Sequence, residues 1–371
     1  MWNPSGGTHR SKGRRRASRA RRWIIRAASV AALGLIAWQV MSYYEIPPFT
    51  DKGDPVNYDQ ARGAQNGKGA KAAQGADSKV LMPTGPRAEF RNVKTLSDGT
   101  HVSVVTLDGP KSGFKGKVWV WAPKEYQDAK FAASGFPVMI ALPGGPGNDS
   151  NYWSVGEFGP DRLSLEKGIS KWYEQGRSKP FLLAMPILNP GPDTHGIYWD
   201  ASDIPDQPKM GTWLTEDVPD LMKANFRTIK DRAGWTYMGS STGGFASLKA
   251  VLKHPDKFKT AIANGPDIVP DSPLWRGHEK EMRENNPKVL AKRLAAAKGP
   301  DVYVAFQVGS KENPATINAI KNFMAGYGKG PVHTKLWEIP GGTHNGATYL
   351  RQMEEPTRWI SEQMEGPTPS S

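Results

Sequence analysis

The stretch Trp235-Thr-Tyr-Met-Gly-Ser-Ser-Thr-Gly-Gly244, continued by Phe245-Ala-Ser-Leu-Lys-Ala-Val-Leu-Lys-His-Pro255, decides how the rest of the chain is read. A short apolar run ends in Gly239-Ser240-Ser241-Thr242-Gly243, after which Phe245, Leu248, Val251 and Leu252 recur with helical spacing. The pattern predicts a strand, a sharp turn and a helix. Gly239 and Gly243 leave room for strand and helix to approach closely, and a serine at the tip of such a turn exposes its hydroxyl beside the next backbone N–H. Ser241 is therefore a candidate nucleophile. In a chain with 40 glycines the same Gly-x-Ser-x-Gly pattern also fits a plain turn, so the flanking segments must decide.

Working outward, 136–142 is a continuous apolar run of the kind buried in a parallel sheet. Further strands are expected at 181–186, 235–239, 260–264, 302–308 and 334–339, alternating with helices at 161–174, 214–230, 243–253, 314–327 and 346–364. Before them, 90–96, 101–107 and 117–121 alternate like half-exposed antiparallel strands, with Ser97-Asp98-Gly99 as a hairpin turn. Together they predict an α/β fold: a mainly parallel central sheet with antiparallel N-terminal strands and helices on both faces.

Sites in such sheets gather at the carboxyl ends of the strands. Pro143-Gly-Gly-Pro-Gly147 follows 136–142 and can bring backbone N–H groups close to a ligand. The N–H groups of Gly145 and Thr242 are candidate oxyanion donors, with Gly144 as the weaker alternative to Gly145. Glu312, after the strand 302–308, is a candidate acid, although a carboxylate there also suits the start of a helix. Asp267 is its rival. His344, in Pro340-Gly-Gly-Thr-His-Asn345, is the candidate base, with His195 as the alternative. The order Ser241, Glu312, His344 is the one found in α/β-hydrolases.

The ends of the chain read differently. Nine of the thirteen net positive charges lie in residues 1–26, which hold no acidic residue, so only +4 remains for the rest. An apolar run follows at 27–44, about long enough with Trp23 to Ile25 for a membrane helix. Arginines ahead of it place the N-terminus in the cytoplasm and the remainder outside. A cleaved signal peptide, and hence a secreted protein, is the alternative. The basic charge abuts an apolar span and no recognition fold, so no nucleic-acid partner is expected. Residues 45–87, rich in Gly, Ala, Gln and Lys, read as a flexible tether. The catalytic domain is then 88–365, and 366–371 a disordered tail. The chain has no cysteine, which excludes disulfides, thiolate zinc sites and cysteine nucleophiles.

The residues then resemble a known family. Trp213-Leu-Thr-Glu-Asp-Val-Pro-Asp-Leu221, Lys223-Ala-Asn225, Ala261-Ile-Ala-Asn-Gly-Pro-Asp267 and Gly341-Gly-Thr-His344, with the Ser241 turn, resemble the esterase D group of α/β-hydrolases. That group includes enterochelin esterases and secreted mycolyltransferases. The resemblance spans 90–364. It implies a serine hydrolase or acyltransferase with Ser241 as nucleophile, His344 as base, Glu312 rather than Asp267 as acid, and Gly145 as the first oxyanion donor. It implies no metal and no cofactor, and a small-molecule or lipid ester as substrate. The anchor-like N-terminus, the tether and the Gly-rich 142–147 loop depart from the mycolyltransferases, so an esterase is expected ahead of an acyltransferase using a sugar or polyol acceptor. A non-catalytic cell-envelope binding module is the remaining alternative. The segments 189–206 and 266–298 are candidate pocket walls, with Trp153, Tyr198, Trp199 and Trp275 as aromatics that line a pocket or pack in the core.

Overall fold

A computed structural model describes residues 53–58, 79–191 and 195–370, all within one compact unit, Gly53–Ser371. Ten strands form its main sheet: β1 (Pro55–Val56), β3 (Phe90–Thr95), β4 (His101–Asp108), β5 (Lys115–Trp121), β6 (Val138–Leu142), β7 (Leu182–Pro186), β9 (Trp235–Ser240), β10 (Thr260–Asn264), β11 (Val302–Gly309) and β12 (Val332–Ile339). Their order is β1-β3-β4-β5-β7-β6-β9-β10-β11-β12. Pairing is antiparallel up to β5–β7 and parallel from β7 to β12. The expected α/β architecture is what the chain adopts. Strands β6, β7, β9 and β10 are buried at every position, which is why they read as unbroken apolar runs, whereas β3 and β12 alternate because they lie toward the edges.

The sheet's connectivity fixes where chemistry can gather. The chain leaves β6 for β7 on one side and then crosses to β9 on the other, so the order reverses between β6 and β9, the place where open α/β sheets form a crevice at their carboxyl ends. Leu142 pairs with Gly239, and Ser240 with Asn264, so the loop after β6 and the turn after β9 leave the sheet side by side.

Several expectations need correction. The described parts of the tether, 53–58 and 79–87, are docked on the domain. Val56 joins β1, Tyr58 is buried against Phe90 and Phe226 with ring centroids at 5.5 and 4.9 Å, and its hydroxyl lies 2.7 Å from Ser103 Oγ. A second pair, β2 (Val80–Leu81) with β8 (Thr228–Ile229), docks the residues just before the domain. The tail is held too: the Ser370 N–H donates to the Lys130 carbonyl (2.8 Å) and Ser134 Oγ donates to the Thr368 carbonyl. Aromatic burial and single backbone hydrogen bonds do this work, and neither shows in composition. The helix expected at 214–230 starts earlier, at Met210, passes through a π-helical turn (Trp213–Asp217) and stops at Asn225, where Phe226 turns extended ahead of β8. The helix expected at 346–364 is two, Gly346–Arg351 and Glu354–Ser361. The stretches 1–26 and 27–44 lie outside the described residues, and among those described no helix is long and apolar enough to cross a membrane.

Candidate active site

Ser241 occupies the sharp turn between β9 and the helix Thr242–Lys253. Its backbone is at φ 55°, ψ −121°, a region that L-residues rarely adopt and that persists only where surrounding contacts dictate it. Those contacts are specific. The Ser241 N–H donates to the Asn264 carbonyl at 2.8 Å, and the Phe245 N–H donates to the Ser241 carbonyl at 2.9 Å. A Cβ on Gly239 would strike the Gly243 backbone, and one on Gly243 would strike the carbonyls of Leu142 and Pro143. Both glycines are therefore demanded by close approach. Ser241 is half-exposed.

The loop after β6 reaches the same point. A Cβ on Gly144 would lie 3.2 Å from Ser241 Cβ. The Gly144 N–H is taken by the Tyr152 hydroxyl at 2.8 Å, which removes Gly144 as the alternative oxyanion donor. Gly145, at φ 67°, makes no N–H hydrogen bond among the described residues. Its carbonyl accepts from Thr242 Oγ1 at 3.1 Å, so the threonine side chain ties the loop to the first turn of the helix. The Thr242 N–H heads that helix, where backbone donors have no intrahelical partner and the dipole favours negative charge.

Glu312 and His344 meet across the ends of β11 and β12. His344 Nδ1 lies 2.7 Å from Glu312 Oε2. Glu312 Oε1 accepts from the Gly309 N–H at 2.6 Å and the Tyr349 hydroxyl at 2.7 Å, and that hydroxyl also lies 2.9 Å from His344 Nδ1. Burial alone would raise the Glu312 carboxyl. The hydrogen bonds from His344, Gly309 and Tyr349 outweigh it and leave the group below the usual carboxylate range. The Glu312 carboxylate in turn raises the His344 imidazole, against the opposing effect of its partial burial. The Glu312 side chain is 1% exposed and that of His344 46%, so the carboxylate is sealed while the imidazole opens outward.

Ser241 makes no hydrogen bond to His344 among the described residues, but one peptide links their positions. Asn264 holds the Ser241 backbone, and a Cβ on the next residue, Gly265, would lie 2.8 Å from both His344 Nδ1 and Glu312 Oε2 and against the Tyr349 hydroxyl. Ser241 and the His344 imidazole thus flank the exit of β10. In free enzymes such catalytic contacts are often long and tighten with substrate.

The rivals fall elsewhere. Asp267 faces His344 only through charge, while Glu312 holds the ring by a hydrogen bond. His195 stands exposed in its loop. Two tyrosines went unread in the sequence: Tyr152, which holds Gly144, and Tyr349, which holds both Glu312 and His344. The only sign of Tyr349 was an aromatic five residues past His344, fully buried in the structure, where a hydroxyl must find a partner. Trp153 is a support, not a lining: it is wholly buried and its Nε1 donates to the Leu142 carbonyl at 2.9 Å. Tyr198 does line a small cleft beside Thr242, together with Leu188, Phe245 and Asp267, so the segments 189–206 and 266–298 do meet at the site.

Comparison with known proteins gives the family and the fold. The Esterase family profile matches residues 115–349. Among curated proteins, an uncharacterized protein of Corynebacterium glutamicum is 25% identical over 227 residues, 57% of this chain and 49% of that protein, so the chain spans about half the length of that relative. An S-formylglutathione hydrolase of Paracoccus denitrificans is 29% identical over 82 residues, 22% of this chain and 29% of that enzyme. Similar solved structures include a ferulic acid esterase (TM-score 0.57, 17% identity) and a fluorophosphonate-binding serine hydrolase of Staphylococcus aureus (0.56, 15%). These cover 71% of this chain and 99% and 98% of theirs, and at such identity they speak for the fold. The chain belongs to the Esterase family and has the α/β-hydrolase fold.

Proposed function

We propose that the protein hydrolyses carboxylic esters through a triad of Ser241, His344 and Glu312. The observation that carries this reading is the 2.7 Å hydrogen bond between the buried Glu312 carboxylate and His344 Nδ1, at the same sheet end as the strained Ser241 turn. With Nδ1–H committed to Glu312, the imidazole keeps Nε2 as its basic nitrogen. Ser241 Oγ attacks the ester carbonyl carbon as Nε2 takes its proton, and the carbonyl oxygen becomes an oxyanion that accepts hydrogen bonds from the N–H groups of Gly145 and Thr242. The intermediate collapses, the proton passes from Nε2 to the departing alkoxide, and an acyl-enzyme on Ser241 remains. Water, activated by the same nitrogen, then releases the acid.

The cellular setting belongs to the same reading. The basic stretch 1–26 followed by the apolar run 27–44 supports a single-pass anchor with the catalytic domain outside the cytoplasm. On intact cells an added protease should then cleave the domain, and protection until lysis would contradict that placement.

Purified protein incubated with an aryl ester, with and without a polyol such as trehalose, tests the chemistry. Release of free acid, lost in Ser241→Ala, is expected. Acyl-polyol as the main product would convert the assignment to acyltransferase, and turnover retained in Ser241→Ala would end it.

A further inference from the structure

Lys249 projects from the helix that begins at the reactive turn, and it is a charged residue in the interior, 4% exposed. Its Nζ donates to the carbonyls of Asp200 and Ala201 (2.7 Å for the latter) and to Ser202 Oγ at 2.6 Å. The Asp200 carboxylate faces the other way, where its Oδ2 accepts from the N–H groups of Asp271 (3.1 Å) and Ser272 (3.0 Å) and from Trp275 Nε1 (2.6 Å). The segment 200–202 is thus latched to the Ser241 helix on one side and to the 266–298 segment on the other. Asp200 and Ala201 both hold left-handed backbone, φ 47° and 45°, which non-glycine residues keep only when their surroundings over-determine it. An apolar side chain at 249 would leave the Ala201 carbonyl buried without a donor, and the Asp200 carbonyl with only the Ser202 hydroxyl, which donates to it at 2.9 Å.

The position of this latched segment gives it a use. Ala201 lines two separate spaces. One is the cleft beside Thr242 and Phe245, with about 10 Å³ of free volume, room for about one water molecule. The other, of about 240 Å³, lies along the Ser241 helix and has Leu142, Leu214, Tyr237, Ala246 and Ala250 in its wall, along with the charged Asp203, Glu216, Lys249 and Lys253. Ala201 is the one residue common to both linings.

Resting on the serine esterase reading, we infer that Lys249 is a positioning residue that sets acyl-chain selectivity by holding residues 200–202 as a partition between the cleft at Thr242 and the larger cavity behind it. With the partition in place the site favours short acyl groups. Without it the two spaces join and a longer hydrocarbon chain gains a floor of Leu142, Ala246 and Ala250.

The test compares p-nitrophenyl acetate with p-nitrophenyl octanoate on the purified full chain. Lys249→Met should raise the octanoate-to-acetate ratio of kcat/KM at least tenfold, chiefly through a lower KM for octanoate, while kcat for acetate stays within threefold of wild type. A role confined to stability would depress both esters in parallel, and that result, or an unchanged ratio, overturns the inference. If Lys249→Met does not fold, Ser202→Ala removes one of the three acceptors and should shift the ratio about threefold, an unchanged ratio again being contrary. Ser241→Ala separates the two ideas: retained turnover in that variant defeats the serine mechanism, while the ratio measured in the Lys249 and Ser202 variants still decides the partition.

Discussion

The reactive groups and the pocket wall arrive at one end of the sheet by different routes. Ser241 directly follows β9, Glu312 comes three residues after β11 ends at Gly309, and His344 five residues after β12 ends at Ile339. Strand register places all three, and short loops leave them little freedom. The wall is drawn from 189–206 and from 266–298, whose mutual position rests on contacts distant in sequence: Lys249 to residues 200–202, and Asp200 to Asp271, Ser272 and Trp275. On the proposed reading, the sheet sets the chemistry, whereas a few buried polar contacts that can change without disturbing the sheet set selectivity.

That contrast can be broken first at Glu312. Glu312→Gln removes the charge that fixes the His344 tautomer and stabilises the imidazolium, and kcat for an aryl ester should fall by about 10⁴ with little change in the ester preference. A loss under tenfold would mean that the carboxylate does not serve the imidazole. Gly265→Ala comes next. Its Cβ would enter the space of Tyr349, Glu312 and His344, at a backbone φ of 49° suited to glycine. Displacement of catalytic groups by about 1 Å costs roughly a hundredfold in rate, and thermal unfolding should show a loss of about 1–3 kcal/mol. Wild-type activity in this variant would show that the exit of β10 does not join nucleophile and base.

Tyr349→Phe should cost about tenfold in kcat, the value of one hydrogen bond to a charged group, again without altering chain-length preference. A change in preference instead would place Tyr349 in the wall. The smallest effect is in pH dependence. The base must be unprotonated to act, and Glu312 holds His344 above its ordinary value of about 6.5. Activity should therefore fall as pH drops through a midpoint above that value. In Glu312→Gln the residual activity should show the midpoint moved lower, and an unmoved midpoint would contradict the pairing.

These differences also account for what the sequence disclosed. The Ser241 turn, the order of Ser241, Glu312 and His344, and the strand–helix alternation are local patterns, since each depends on residues within one strand exit. The choice of Glu312 over Asp267 needed the family resemblance, because both carboxylates follow strands and only the fold shows which one meets Nδ1. Tyr152 and Tyr349 escaped because a buried hydroxyl's partner lies across the fold. The docking of Tyr58 and Val56 escaped because two strand residues in a Gly- and Ala-rich stretch carry too little pattern to stand out. The Lys249–Asp200 latch escaped for the strongest reason: on a helix a lysine ordinarily marks the solvent face, and nothing nearby announces the strained carbonyls it serves.

In the proposed mechanism Ser241 Oγ, made reactive by His344, attacks the ester. Treating the protein with a fluorophosphonate and locating the adduct by peptide mass spectrometry tests this most directly. A single adduct on Ser241 is expected, formed at a rate that collapses in His344→Ala. An adduct on another residue, or no adduct in protein that still hydrolyses aryl esters, would contradict it.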